Sequence, residues 1–372
     1  TYIKTSVAYS YDAERNQSKS INVDRPFFSP FAKWGAGIYV AQDYRRDSLP
    51  DNVGKLAMQS YKFGTQDVWV GKSLQIFEGD SEENRTTSFI TSLRFLRKNF
   101  VEQPQMAYDT LNYYSDENFF LTGFGVSSRK FIQDKYLFNY GITEDVAIGK
   151  VYALTLGYQN KNHINRMYFG GRFAYGQYFK WGYFSTNIEY GTFFRGPITE
   201  QTTFSLEVNY FTNLINLGEW RVRQFIKPRV VIGTNRYETI ADRIDINEDN
   251  GIPGFRSYYL RGTKKMQLML QTQSYSPWNL GGFRINPFFN ATISMISGDN
   301  DNLWTGKAYS QVGVGIMISN DFLVFNNFQF SFSYYPSIPE TGDNVIQTNS
   351  LKNNDYTLPN YEFGKPEIVP YK

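Results

Sequence analysis

The sequence predicts an all-β protein, a transmembrane antiparallel up-and-down barrel of roughly fifteen to seventeen strands. Three observations point there: hydropathy alternates at every second residue, the chain is aromatic-rich yet polar on average, and its connections come in two sizes. From Phe184, the residues Phe184, Thr186, Ile188, Tyr190, Thr192 and Phe194 alternate with Ser185, Asn187, Glu189 and Gly191. From Phe328, the residues Phe328, Phe330, Phe332 and Tyr334 alternate with Gln329, Ser331 and Ser333. A strand has a side-chain period of two, so each such segment has one apolar and one wet face.

Composition decides where those faces go. Mean hydropathy is -0.46, too polar for a helical membrane protein, and no run of about 18 apolar residues occurs. A transmembrane barrel is polar on average because half of each strand faces a wet lumen. The 29 Tyr and 32 Phe suit an apolar outer band with aromatic girdles. A net charge of +3 gives no case for nucleic acid as a partner. With no cysteine, disulfides and thiolate metal sites are excluded. The chain begins at Thr1 without a signal region. It is expected to be a mature or trimmed product, residues 1–372 forming the barrel part of a longer protein whose upstream periplasmic or enzymatic domain lies outside this chain.

Strands are expected at 2–11, 19–28, 33–42, 57–77 (as one strand or two), 88–98, 118–127, about 130–140, 146–158, 166–178, 182–195, 202–212 and 219–235. They continue at 264–276, 283–296, 308–319, 326–336 and, weakly, 361–371. Lengths near ten residues suit a tilted bilayer-crossing strand. Short connections such as 179–182 and 276–282 contrast with longer polar ones at 78–87, 99–117, 236–263, 297–307 and 337–360, the asymmetry of outer-membrane barrels.

The cations set the inward face. Arg221, Arg223, Lys227 and Arg229 share one face with Phe225, opposite Trp220, Val222, Ile226, Val230 and Ile232. On a lipid face each would cost about 2–4 kcal/mol near the midplane, so they should line a basic lumen. Arg166 and Arg172 turn inward by the same argument, and Met167, Phe169, Phe173 and Phe179 outward. A soluble two-layer sandwich of this many long strands would be unusually large.

The long loop contains Gly251-Ile252-Pro253-Gly254-Phe255-Arg256-Ser257-Tyr258, followed by four or five strands. This resembles the C-terminal barrel of the BamA/TamA superfamily of outer-membrane assembly factors and two-partner secretion transporters. Phe255, Arg256, Ser257 and Tyr258 resemble the Arg-Gly-aromatic signature of the family's sixth extracellular loop, with Ser257 in place of its Gly. Gln273 to Pro277 resembles the segment in which a Glu precedes Pro by four. Asn290-Ala291 resembles an Asp before a small residue, and 312–316 the glycine-rich strand that follows. Near the start, 22–28 resembles an early family strand and its turn.

The resemblance implies a barrel of about 16 strands with one long loop folded inward, its Arg256 and the basic lumen holding it there. Gln273 and Asn290 stand as lumenal partners where the family has carboxylates. An amide accepts a guanidinium hydrogen bond without countercharge, so this clamp should be weaker. The alternative is that Arg256 is an ordinary exposed loop arginine. The resemblance also implies a seam between first and last strands, carried here by Ile3 and Val7 against Phe363 and Ile368. Prolines at 366 and 370 remove ladder donors there, so the seam should be poor in hydrogen bonds, unless the tail is simply frayed.

No catalytic residue is expected. His163, the single histidine, sits in a polar turn without a partner for nucleophilic chemistry. Asp242, Asp245, Glu248 and Asp249 lack the EF-hand pattern and read as a solvated acidic loop. Gly313 and Gly315 should make room for something packed inside. The expectation is a non-enzymatic barrel without cofactor or metal, in the outer membrane of a Gram-negative bacterium. The resemblance implies insertion of other barrel proteins or polypeptide translocation, with outer-membrane lipid, client proteins and accessory lipoproteins as partners. The rivals are a barrel that anchors or exports a fused patatin-type or phosphoesterase hydrolase, for which an upstream hydrolase domain rather than POTRA repeats would speak, and a passive porin.

Overall fold

A computed structural model of the chain describes all residues except 1, 30, 78–85, 139–140, 321–326 and 352–357. The strands are β1 (Lys4–Tyr11), β2 (Gln17–Arg25), β3 (Trp34–Pro50), β4 (Leu56–Gln75), β5 (Thr87–Glu102), β6 (Glu117–Lys135), β7 (Thr143–Lys161), β8 (Ile164–Phe179) and β9 (Gly182–Arg195). Then come β10 (Ile198–Thr212), β11 (Ile215–Leu217), β12 (Trp220–Thr234), β13 (Lys264–Tyr275), β14 (Asn279–Leu280), β15 (Phe283–Ser297), β16 (Ala308–Asn320), β17 (Asn327–Ile338) and β18 (Gly342–Thr348). All ladders are antiparallel between sequence neighbours, from Lys4↔Asp24 in β1–β2 to Ile338↔Gly342 in β17–β18. The two- and three-residue segments β14 and β11 only extend the hairpins of β15 and β12. Among the described residues, sixteen strands therefore make the wall of this up-and-down barrel.

The two faces separate as the alternation requires. On β17, Phe328, Phe330, Phe332 and Tyr334 lie outward and exposed, while Ser331 and Ser333 are buried inside. On β8, Met167 and Phe169 are outward, and Arg166 is buried in the lumen. On β12, Phe225 and Arg223 are buried on the face expected to point inward. An outer surface this apolar, wrapped around a polar, cation-bearing interior, is a membrane-spanning barrel. Inward glycines make room as expected. A Cβ on Gly313 would lie 2.8 Å from the Leu351 side chain, and one on Gly315 would lie 2.4 Å from the ring of Phe288.

Four expectations are corrected. Residues 118–127 and 130–140 are not two strands; β6 runs through Ser127-Ser128-Arg129 because it pairs with β7 in unbroken register from Glu117↔Lys161 to Lys135↔Thr143. Most strands are longer than ten residues, since hairpins such as β3–β4 and β6–β7 continue past the bilayer-crossing length. Among the described residues the last strand is β18, within the supposed 337–360 loop, joined to β17 by a turn at 339–341. The 78–87 connection joins β4 to β5 at the same end as the short β8–β9 turn, although 78–85 lie outside the described residues.

The fifth correction is the largest. Residues 361–371 are no strand and make no seam. Residues 358–372 run through the lumen. Leu358 packs in the cluster of Tyr183, Phe211 and Phe225 near the short-turn end. Tyr371 donates to the Thr263 carbonyl, at 3.0 Å, near the long-loop end. Fifteen extended residues reach about 45 Å, enough to cross a hydrocarbon core of about 30 Å.

The face assignment makes a direct prediction. Phe332→Arg should lower the free energy of folding into lipid vesicles by about 2–4 kcal/mol. Ser331→Ala, one residue away, should change it by less than about 1 kcal/mol. Equal effects in urea titrations of the vesicle-inserted protein would contradict the assignment.

Candidate functional site

Three features form the candidate site: an unjoined edge, a basic lumen and an inward loop. No ladder joins β1 to β18 among the described residues; β1 pairs with β2 alone and β18 with β17 alone. All eight residues of β1 are exposed, Val7 at 77%. Both faces of this strand and its outer edge are therefore uncovered. Val7 lies within β1 and Ile3 directly before it. Phe363 and Ile368 do not stand at this edge, because the prolines of the tail deny it a ladder and its aromatic side chains find apolar cover in the lumen.

The cations of β12 are partnered inside. Arg223 is buried and holds Asp134 at 2.9 and 3.1 Å, as well as the Lys135 carbonyl at 3.0 Å. Lys227 pairs with Glu207 at 3.4 Å. Arg229 donates to the Lys372 carbonyl at 2.9 Å. Arg221 lies at the mouth over the Tyr136 ring, 4.5 Å from its centroid. These groups face the lumen, but they hold the wall and the tail rather than the loop.

The loop between β12 and β13 does fold inward. Its one-turn helices Ile240–Asp242 and Glu248–Asn250 bracket the apolar residues Ile244 and Ile246. Ile246, Ile252 and Phe255 are fully buried against Ile296, Tyr309 and Tyr335. Lys265 Nζ donates to the carbonyls of Asp245 (3.0 Å) and Asn250 (2.5 Å), and Gln267 Nε2 to that of Gly251 (2.6 Å). Tyr335 Oη donates to the Pro253 carbonyl at 2.5 Å. The wall thus reads the loop's backbone.

The signature behaves differently from what the resemblance implies. Arg256 is 78% exposed and pairs with Glu248 at 2.5 Å, which holds its guanidinium pKa above the ordinary value. It does not reach Gln273 or Asn290. Both amides are buried on the inner face, but Gln273 donates to the Ser274 carbonyl (3.4 Å) and Asn290 accepts from Thr292 (3.3 Å). An amide offers no countercharge to draw a guanidinium out of water, whereas Glu248 does. Phe255 is the residue that enters the interior. The Ser257 hydroxyl and the Tyr258 amide donate to the Glu340 carboxylate at 2.8 and 3.0 Å.

The loop carboxylates are consumed by arginines: Asp242 by Arg236, Asp245 by Arg261 and Glu248 by Arg256. Among the described residues no cluster of His, Cys, Asp and Glu could hold a metal. His163 occupies a left-handed turn position between β7 and β8. Sequence reasoning missed Lys265, Gln267 and Arg236. A signal existed for the first two, which are polar residues at inward positions directly after the loop, alternating with Met266 and Leu268. Arg236 lies outside any periodic segment and gave none.

Loop docking can be tested by substitution. Lys265→Met should strand two loop carbonyls at a cost of about 1–3 kcal/mol, seen as faster protease cleavage within 236–263. Arg256→Ala, which removes an exposed pair, should change docking by less than about 1 kcal/mol. The reverse order would restore Arg256 as the clamp.

No protein-family model matches the chain, and no curated protein does. Among solved structures, CdiB from Acinetobacter baumannii is 10% identical with a TM-score of 0.46, over 94% of this chain and 59% of that one. CdiB from Escherichia coli is 10% identical with a TM-score of 0.40, over 92% and 66%. BamA from Haemophilus ducreyi lacking POTRA domains 1–3 is 12% identical with a TM-score of 0.41, over 93% and 74%. The chain thus spans about three fifths of the first of these. The membrane barrel itself follows from the outward apolar belt and inward cations, not from these likenesses. This chain is a transmembrane antiparallel up-and-down β-barrel, with sixteen wall strands among the described residues, to which CdiB and BamA structures are similar over nearly its whole length.

Proposed function

We propose that this chain is an outer-membrane barrel of the BamA/TamA type, which inserts other barrel proteins or translocates a polypeptide. The observation that carries the proposal is the unjoined β1 edge. Strands expose backbone donors and acceptors along an edge, and natural proteins normally cover them. An uncovered edge at a barrel wall is a template on which an incoming strand can pair. The chemistry is physical: a client strand gains ladder bonds as it enters lipid, where unpaired backbone groups cost several kcal/mol each. Outer-membrane lipid, client barrel proteins and accessory lipoproteins are the partners this function requires. A passive porin fits poorly, because the inward loop and the tail occupy the lumen. The barrel as anchor of an upstream hydrolase is compatible with the same wall and makes no use of the open edge.

Tethering the two edges tests this. The chain has no cysteine, so Val7→Cys with Ile346→Cys can be bridged by a bifunctional maleimide in proteoliposomes. Assembly of a reporter barrel protein, read as its heat-modifiable compact band, should fall at least about tenfold on bridging. The unbridged double variant should assemble normally. Undiminished assembly after complete bridging would remove the edge from the mechanism.

A further inference from the structure

The lumenal tail, like the β12–β13 loop, is held inside the wall without a ladder. It makes no ladder, and side chains of the wall grip its backbone. Ser127 Oγ donates to the Tyr361 carbonyl at 2.8 Å, Arg172 to those of Asn360 and Glu362 at 3.2 Å, and Arg94 to that of Pro366 at 3.0 Å. The Tyr168 hydroxyl accepts from the Val369 amide at 2.9 Å. This is how a groove holds a peptide in any sequence register that fits its pockets.

The pockets are hollows left by glycine. Tyr361, fully buried, lies over Gly176, with its hydroxyl 2.8 Å from that of Tyr183. Phe363 fills the space over Gly123 and Gly125; a Cβ on Gly125 would lie 2.6 Å from its Cδ1. Tyr371 covers Gly233, where a Cβ would lie 2.5 Å from its ring, and Arg236 stacks on it 3.7 Å from the centroid. Aromatic side chains two residues apart point to one side of an extended chain, as Tyr361 and Phe363 do. Between the aromatic sites lie charge-matched ones: Lys365 meets Asp67 at 2.5 Å, and Glu362 meets Arg129.

We propose that the inner face of β4 to β12 is a binding groove for an extended peptide with aromatic side chains two residues apart followed by a cation. Leu358–Lys372 is its intramolecular ligand, a plug that a second extended chain of the same pattern displaces. A cavity of about 580 Å³ lies beside Ile368–Tyr371, lined by Lys98, Lys161 and Arg166, so the far half of the tail has room to shift. The groove stands whether or not the β1 edge assembles clients, and its test does not use client assembly.

The test is single-channel conductance of the purified 372-residue chain in planar bilayers. The unsubstituted chain should be largely closed. Tyr361→Ala with Phe363→Ala removes the two anchors and leaves the wall intact, and should raise open probability at least about tenfold. A synthetic peptide of residues 358–372 should close the substituted channel again, and the same peptide with serine at positions 361 and 363 should not. Gly125→Leu, which fills the hollow from the wall side, should open the channel and make it insensitive to the peptide. The proposal is overturned if the double variant, shown folded by its heat-modifiable band, conducts no more than the unsubstituted chain. It is equally overturned if the two peptides block alike, since charge alone would then account for the seat, or if the double variant fails to fold, since the tail would then be part of the wall's own core.

Discussion

A strand sorts its side chains by parity, and here parity has to separate lipid from a crowded, cation-bearing interior. Arg166 shows what this demands. It is buried on the inner face of β8 and meets Glu200 at 3.1 Å, Gln159 at 3.0 Å and the Tyr237 hydroxyl at 2.9 Å. Its neighbour Met167 points to the outside. A register slip of one residue would exchange the two environments along the whole strand. The pairing of the wall is fixed by this exchange penalty more than by any single contact.

The interior is then filled by two segments that are not strands. The β12–β13 loop caps the lumen from one end, its apolar residues against β15 to β17 and its backbone carbonyls on Lys265 and Gln267. The tail runs along the inner face of β4 to β12, with Phe363, Phe27 and Trp69 in one cluster. Both segments turn their polar backbone toward wall arginines, lysines, serines and amides. The basic lumen thereby serves as a set of donors for chain that lacks a ladder of its own. Among the described residues β1 and β18 each pair on one side only, and there the wall strands are shortest, with eight and seven residues.

The wall was legible in the sequence because its signal is periodic. Phe328–Tyr334, the cations of β12 and the Arg166–Met167 contrast all follow from period two and the cost of charge in lipid. Sixteen strands came from the family resemblance combined with that pattern. What was not legible has no period. Tyr361-Glu362-Phe363 alternates like a strand, and only its prolines at 359, 366 and 370 argue against one. A local pattern says that one face of a segment is apolar; it does not say whether lipid or a glycine-lined lumen covers that face. The same limit applies to Arg256. The motif located the loop correctly, and the loop does fold inward, but the residue carrying it there is Phe255, because the lumenal partners are amides and Glu248 supplies the charge outside.

The measurement closest to the central claim is a cysteine scan of residues 328–334 in lipid vesicles, in a chain that has no cysteine of its own. A probe at 328, 330, 332 or 334 should be quenched by lipid-soluble nitroxides and shielded from aqueous maleimide, with the opposite response at 329, 331 and 333. Uniform responses, or the inverted alternation, would contradict a wall whose aromatic face meets the bilayer.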